Sequence, residues 1–191
     1  MKAVAFNGSP RRGGNTEILL KEVLDVLNSK GIETSMVQVG GQEVRGCIAC
    51  MKCRKEKDGR CHQNNDFLNS CIGQIREADI ILIGSPVYFS DITSETKALM
   101  DVAGYALRGT GSPLKRKIGA AVISVRRAGA MHAFDSINHF FLINEMIIPG
   151  SSYWNIGLGR EKGEVLSDEE GIRTMRTLGE NIAWLAEKIN Q

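Results

Sequence analysis

The sequence predicts an α/β fold, a three-layer α/β/α sandwich in which helices cover both faces of a parallel sheet. Short apolar runs rich in β-branched residues alternate five times with stretches of helical spacing, the pattern of repeated βα units. The run Ile80-Ile81-Leu82-Ile83 is apolar at every position, as a central parallel strand buried on both faces requires. The chain carries no internal repeat, low-complexity tract or linker. Residues 1–191 are therefore expected to form one domain, with a cysteine-bearing loop at about residues 40–65.

Strands are predicted over residues 3–6, 34–39, 80–84, 118–124 and 146–149, where β-branched and apolar residues dominate. Residues 16–29 have helical spacing, with Ile18, Leu19, Val23, Val26 and Leu27 on one face. A second helix over 67–78 turns Leu68, Cys71, Ile72 and Ile75 inward, so Cys71 reads as a buried structural thiol. Helices over 94–107 and 131–143 follow. The last is expected over 167–189, with Ile172, Met175, Leu178, Ile182, Leu185 and Ile189 facing the core.

Composition narrows the function classes. The net charge of +2 argues against bulk electrostatic binding of nucleic acid. No apolar run reaches membrane-spanning length, and the amino-terminal strand turns polar by Asn7, too early for a signal peptide. A cytoplasmic protein is expected. In that compartment thiols stay reduced, so clustered cysteines favour metal binding or redox chemistry over structural disulfides.

Two segments carry chemistry. The first strand runs into Asn7-Gly8-Ser9-Pro10-Arg11-Arg12-Gly13-Gly14-Asn15-Thr16 and then a helix. Glycines and short polar residues at a helix amino terminus leave N–H groups and a positive dipole end exposed, a combination that holds phosphate. Ser9, Asn15 and Thr16 are candidate hydrogen-bond donors, and Arg11 or Arg12 adds charge. The loop has neither the Lys-Ser/Thr ending of a Walker motif nor the G-x-G-x-x-G of dinucleotide binding.

The second segment spaces Cys47, Cys50, Cys53 and Cys61 as C-x2-C-x2-C-x7-C. Two-residue gaps let one tight turn aim successive thiolates at a common centre, and four thiolates match the four irons of a cubane. Zinc also accepts four cysteines but is usually held by two well-separated pairs. A third outcome is no metal, with the thiols free or oxidised. Lys52, Arg54, Lys55, Lys57 and Arg60 face only Glu56 and Asp58 here, a basic patch suited to an acidic electron carrier such as ferredoxin. His62, next to Cys61, is an alternative ligand but reads as a solvent-facing histidine, and His132 and His139 receive no role.

The run Gly8-Ser9-Pro10-Arg11-x-x-Gly14-Asn15-Thr16 resembles the FMN-phosphate loop of NAD(P)H-dependent FMN reductases in the flavodoxin-like superfamily. With the cysteine run, the chain is similar to the iron–sulfur flavoprotein branch of that group. The resemblance implies a flavodoxin-like sheet of five strands ordered 2-1-3-4-5. It implies FMN, its phosphate held by Ser9, Arg11, Asn15 and Thr16, and a [4Fe–4S] cluster on Cys47, Cys50, Cys53 and Cys61. Pro86-Val87-Tyr88-Phe89 looks like the loop whose backbone and aromatic groups lie along the isoalloxazine. Ser124, Arg126, Arg127 and Gly129 fall where the family approaches the pyrimidine edge, and a cation there would stabilise negative charge on the ring.

The cysteine segment is expected on the same strand-end rim as the flavin loops. The resemblance further implies a homodimer or a dimer of dimers, with residues 150–159 packing against a neighbour. The expected activity is oxidoreduction, passing electrons from ferredoxin or NAD(P)H to a quinone, an oxygen species or another small acceptor. Two alternatives stay open: an NAD(P)H-dependent FMN or quinone reductase without a cluster, and a zinc-stabilised binding or regulatory module.

Overall fold

The structure, a computed structural model, describes residues 1–63 and 65–189. Residue 64 of the cysteine loop and the last two residues of the expected domain lie outside this range. The chain runs β1 (Lys2–Asn7), α1 (Asn15–Ser29), β2 (Glu33–Gln38), α2 (Lys52–Glu56), α3 (Asp66–Glu77), β3 (Ile80–Pro86), α4 (Ser94–Arg108), β4 (Ile118–Val125), α5 (Ala130–Ile143), β5 (Ile156–Leu158), a 3-10 turn (Glu164–Ser167) and α6 (Glu169–Ile189). The strands pair in the order β2-β1-β3-β4-β5, all parallel. This is the flavodoxin-like arrangement.

Alternation along the central strands divides the core into two layers. Val4, Phe6, Ile81, Ile83, Ala121 and Ile123 face α3, α4 and α5. Ala3, Ala5, Ile80, Leu82, Ala120 and Val122 face α1 and α6. Because all the strands run the same way, the loops leaving β1, β3, β4 and β5 emerge on one edge. In a doubly wound sheet that edge is where ligands bind.

The fifth strand is not where its composition suggests. Within residues 146–149 only Ile147 joins the sheet, bridging Ile118; its N–H reaches the Lys117 carbonyl and its carbonyl accepts from Gly119, both at 2.9 Å. Pro149 has no N–H to continue the ladder, and the chain leaves the edge until β5 pairs with Ile123–Val125. Across the gap the Asn155 side chain replaces a strand, donating to the Ala121 carbonyl at 3.0 Å. The last helix starts at Glu169, two residues later than its spacing predicts, because Glu164–Ser167 tightens into the 3-10 turn.

Candidate functional site

Side-chain amides lock the first loop to its neighbours. Asn7 Nδ2 donates to Gln38 Oε1 at 2.8 Å, and Gln38 Nε2 donates to the carbonyls of Ser9 and Gly40 at 2.6 and 2.8 Å. The Gly8 N–H reaches the Gly84 carbonyl at 2.8 Å, and Thr93 Oγ1 donates to the Gly8 carbonyl at 2.9 Å. The loop is thus tied to the ends of β2 and β3 and to the start of α4. Gly14 caps α1 without a side-chain acceptor, which leaves the first-turn N–H groups aimed outward. The buried hydroxyls of Thr16 and Ser124 bond at 2.7 Å and fix the head of α1 against the end of β4.

A cavity of about 280 Å³ opens beside this loop. It gathers Ser9, Arg11, Asn15 and Thr16 from the first loop, Pro86, Val87 and Tyr88 from the exit of β3, and Ser124 and Arg126 from the exit of β4. Three residues assigned to the site from sequence stand outside it. Phe89 is fully exposed at 106%, on the tip of a tight turn in which Phe89 and Ser90 are left-handed, with φ of 47° and 66°. Arg127 points to solvent. Gly129, at φ 86°, caps α5, and a Cβ there would lie 3.1 Å from Ser90 Cα; it seats the turn instead of lining the cavity. His132 gains a place beside that turn, 3.4 Å from the Asp91 carboxylate.

Three other lining residues, Gly159, Arg160 and Lys162, come from the loop after β5. The aromatic residues of 150–159 draw attention in the sequence, whereas the basic residues just beyond them carry no local signal. Asn15 brings that loop in. Its Nδ2 donates to the Glu161 carbonyl at 2.9 Å, and its Oδ1 accepts from the N–H groups of Gly163 at 2.9 Å and Val165 at 3.4 Å. Asn15 is therefore a clamp more than a free donor. Asn15→Ala is expected to lower stability by about 1–3 kcal/mol, the cost of stranding loop polar groups, measurable by urea unfolding with an unchanged m-value.

The cysteines lie elsewhere. Cys47, Cys50, Cys53 and Cys61 border one hollow of about 20 Å³, backed by Val102, Tyr105 and Ala106 of α4. The amino terminus of α4 touches the loop after β1, so this hollow sits roughly 15 Å down the helix. It is on the flank of the sandwich, not on the strand-end rim. Ala49 and Met51 adopt left-handed φ of 54° and 60°, which folds the chain around the Cys47–Cys53 run. Asn69 pins Cys61 to α3, accepting from its N–H at 2.8 Å and donating to its carbonyl at 2.9 Å. Arg54 seats α2, donating to the Arg108 carbonyl at 2.9 Å and lying 5.6 Å over the Tyr105 ring.

Burial, joined by the charges of Cys47 and Cys50, pushes the Cys53 thiol above its ordinary value against the help of the Arg54 N–H. All five cysteines are free. Among the described residues no three ligating side chains converge as tightly as a bare ion demands. Cys71 is fully buried in the core, and burial pushes its thiol up to about 12, as an inert structural thiol.

Comparison with known proteins decides what this architecture belongs to. Residues 1–161 match the family model of NADPH-dependent FMN reductases. An iron–sulfur flavoprotein of Methanocaldococcus jannaschii is 35% identical over the full length of both chains. Another, from Methanosarcina thermophila, is 31% identical over 100% of this chain and 98% of its own. This chain belongs to the iron–sulfur flavoprotein branch of the NADPH-dependent FMN reductase family. A solved archaeal flavodoxin, 18% identical with a TM-score of 0.63 and full coverage of both chains, has the same fold.

The protein is a flavin-dependent oxidoreductase that uses FMN, which removes the reading as a zinc-stabilised binding module. The residues present fit that cofactor. Arg11, Arg126, Arg160 and Lys162 line the cavity and no carboxylate does, as a dianionic phosphate requires. Half-exposed Tyr88 supplies an aromatic flank for a flat ring. The donor set of the cysteine hollow, four thiols against an apolar wall, fits an iron–sulfur cluster in kind.

Proposed function

We propose that this flavoprotein couples a [4Fe–4S] cluster on Cys47, Cys50, Cys53 and Cys61 to FMN. Electrons would pass from a ferredoxin-like carrier or NAD(P)H to a small acceptor such as a quinone or an oxygen species. The observation that carries the reading is the gathering of the four thiols on one hollow with an apolar back wall. A tetrahedral zinc with bonds of about 2.3 Å would draw its sulfurs to within about 3.8 Å of each other. The closely spaced run Cys47, Cys50, Cys53 with Cys61 beyond it suits the corners of a cluster better than the two separated pairs usual for zinc.

FMN supplies the change between one-electron and two-electron chemistry. The protein's own residues bind and orient it. Ser9, Thr16, Arg11 and the free N–H groups at the head of α1 take the phosphate, while Val87 and Tyr88 flank the ring. Ser124 fixes Thr16, and Arg126 sets positive charge beside the ring's edge. Lys52, Lys55, Lys57 and Arg60 form the exposed basic face over the cysteines, complementary to an acidic carrier. A homodimer or dimer of dimers is supported by exposed Met131, Leu142 and Ile143 on α5 and by Tyr153 and Trp154 opposite, since soluble proteins rarely leave such apolar surface uncovered. No helix among the described residues is long and apolar enough to cross a membrane.

Purification under anaerobic conditions tests the coupling. About four irons and as many acid-labile sulfides per chain are expected, with absorbance between about 350 and 500 nm in excess of that of the flavin. FMN with neither iron nor sulfide, together with rapid NADPH oxidation, would establish the cluster-free reductase in its place.

A further inference from the structure

We propose that Lys162, assisted by Arg160, completes the FMN-phosphate site from the loop after β5, so that two loops about 150 residues apart hold the phosphate between them. The proposal rests on FMN occupying the cavity described above.

The first loop alone is short of full charge. Asn15 uses its Oδ1 twice and its Nδ2 once on residues 161–165. Thr16 Oγ1 shares its bond with Ser124, whereas Ser9 Oγ accepts the Arg11 N–H at 3.3 Å and keeps its own O–H to donate. The head of α1 still offers N–H groups, but they carry only the partial charge of a helix end against a phosphate dianion. Full charges must come from side chains, and the first loop brings Arg11 to the cavity, one cation against a dianion.

Lys162 is placed to supply one. A Cβ built on left-handed Gly13, just before α1, would lie 3.2 Å from both Cε and Nζ of Lys162. The ammonium therefore overhangs the turn that opens the helix. It makes no ion pair within 4.0 Å among the described residues; the carboxylate that feels its charge, Glu17, is held lower mainly by its own 2.7 Å pair with Lys21. Arg160 lines the same cavity, with its Nε 3.2 Å from Glu161 and therefore only partly free.

The loop is shaped before ligand arrives. Glu164 accepts the N–H groups of Arg160 and Glu161, both at 2.7 Å, Asn15 clamps the far side, and Arg11 Nη1 donates to the Arg160 carbonyl at 3.3 Å.

FMN and riboflavin differ only in the phosphate, and that difference provides the test. The full-length protein, dialysed free of flavin, is titrated with each flavin by fluorescence quenching. Lys162→Met is expected to raise the FMN Kd about tenfold or more, the loss of a charged hydrogen bond, while the riboflavin Kd stays within about twofold. Arg160→Met gives a smaller rise. Lys30→Met, which removes the same charge at the other end of α1, leaves both constants unchanged. The FMN Kd of wild type should also weaken more steeply with ionic strength than that of Lys162→Met.

Equal weakening of both flavins by Lys162→Met would make the lysine a loop-structural residue and overturn the proposal. So would an unchanged FMN Kd or identical salt slopes. If wild type bound neither flavin, the assignment of the cavity to FMN would itself fail, a separate outcome.

Discussion

Cys53→Ser is expected to remove most of the iron and acid-labile sulfide from anaerobically purified protein, from about four irons per chain to about one or fewer, while FMN remains bound. Cys53 is half-buried and packs on the core layer beneath α4. A serine oxygen there is a poor ligand for iron and cannot be replaced from solvent. The flavin survives because the phosphate cavity contains no residue of the cysteine segment. Cys71→Ser is the contrast. It should keep full iron yet lose about 1–3 kcal/mol of stability, because the new hydroxyl is buried without a partner. Iron content that is unchanged in Cys53→Ser but lost in Cys71→Ser would refute the assignment of the cysteine hollow.

The second large effect is expected at Gly40. A Cβ there would lie 2.3 Å from the carbonyl carbon of Ser9, 2.4 Å from the Gly8 oxygen and 2.5 Å from the Pro10 nitrogen. All three are backbone atoms of the phosphate loop, and none can step aside as a flexible side chain would. Gly40→Ala must push the loop away from the end of β2, breaking the Gln38 bonds to Ser9 and Gly40. A stability loss of about 1–3 kcal/mol, as in overpacked cores, should accompany a rise of at least about tenfold in the FMN Kd. Gly73→Ala on α3, where nothing lies within 4 Å of the new Cβ, should instead stabilise by about 0.5–1 kcal/mol through helix propensity. Tm and flavin titration on the two variants measure both; wild-type flavin affinity in Gly40→Ala would show that the loop tolerates the displacement.

Much of the fold was legible where burial and periodicity agree. Ile80–Ile83 is uniformly apolar and lies in the middle of the sheet. The inward stripe of α3 marks Cys71 as a core residue, and it is fully buried. Legibility failed at the sheet edge. Residues 146–148 have strand composition, but Pro149 interrupts the ladder, and a three-residue strand with a glycine at its centre shows no periodicity to read. The candidate site divides in the same way. Nine of the twelve residues assigned to the flavin line the cavity, because each follows directly from the end of a strand whose direction was already known. Phe89, Arg127 and Gly129 do not, since a left-handed turn and a helix cap rotate them away over one or two residues. The cysteine spacing is plain in the sequence but its position is not, because α2 and the contact of Arg54 with Tyr105 carry the segment down the flank of α4.

The sequence by itself determined the βα alternation, the glycine-rich opening of α1 and the cysteine count and spacing. Each is written in residues within one element or one loop of each other, where backbone geometry and burial act directly. Only the tertiary structure decided which charges line the cavity beside the first loop and what the thiols pack against. Asn15 holds the loop that carries Lys162 through hydrogen bonds with Glu161 and Gly163 that span most of the chain, and the cysteines meet Val102 and Ala106 through the packing of α2 on α4. Such contacts depend on how whole elements stack, and no local pattern of residue types encodes them.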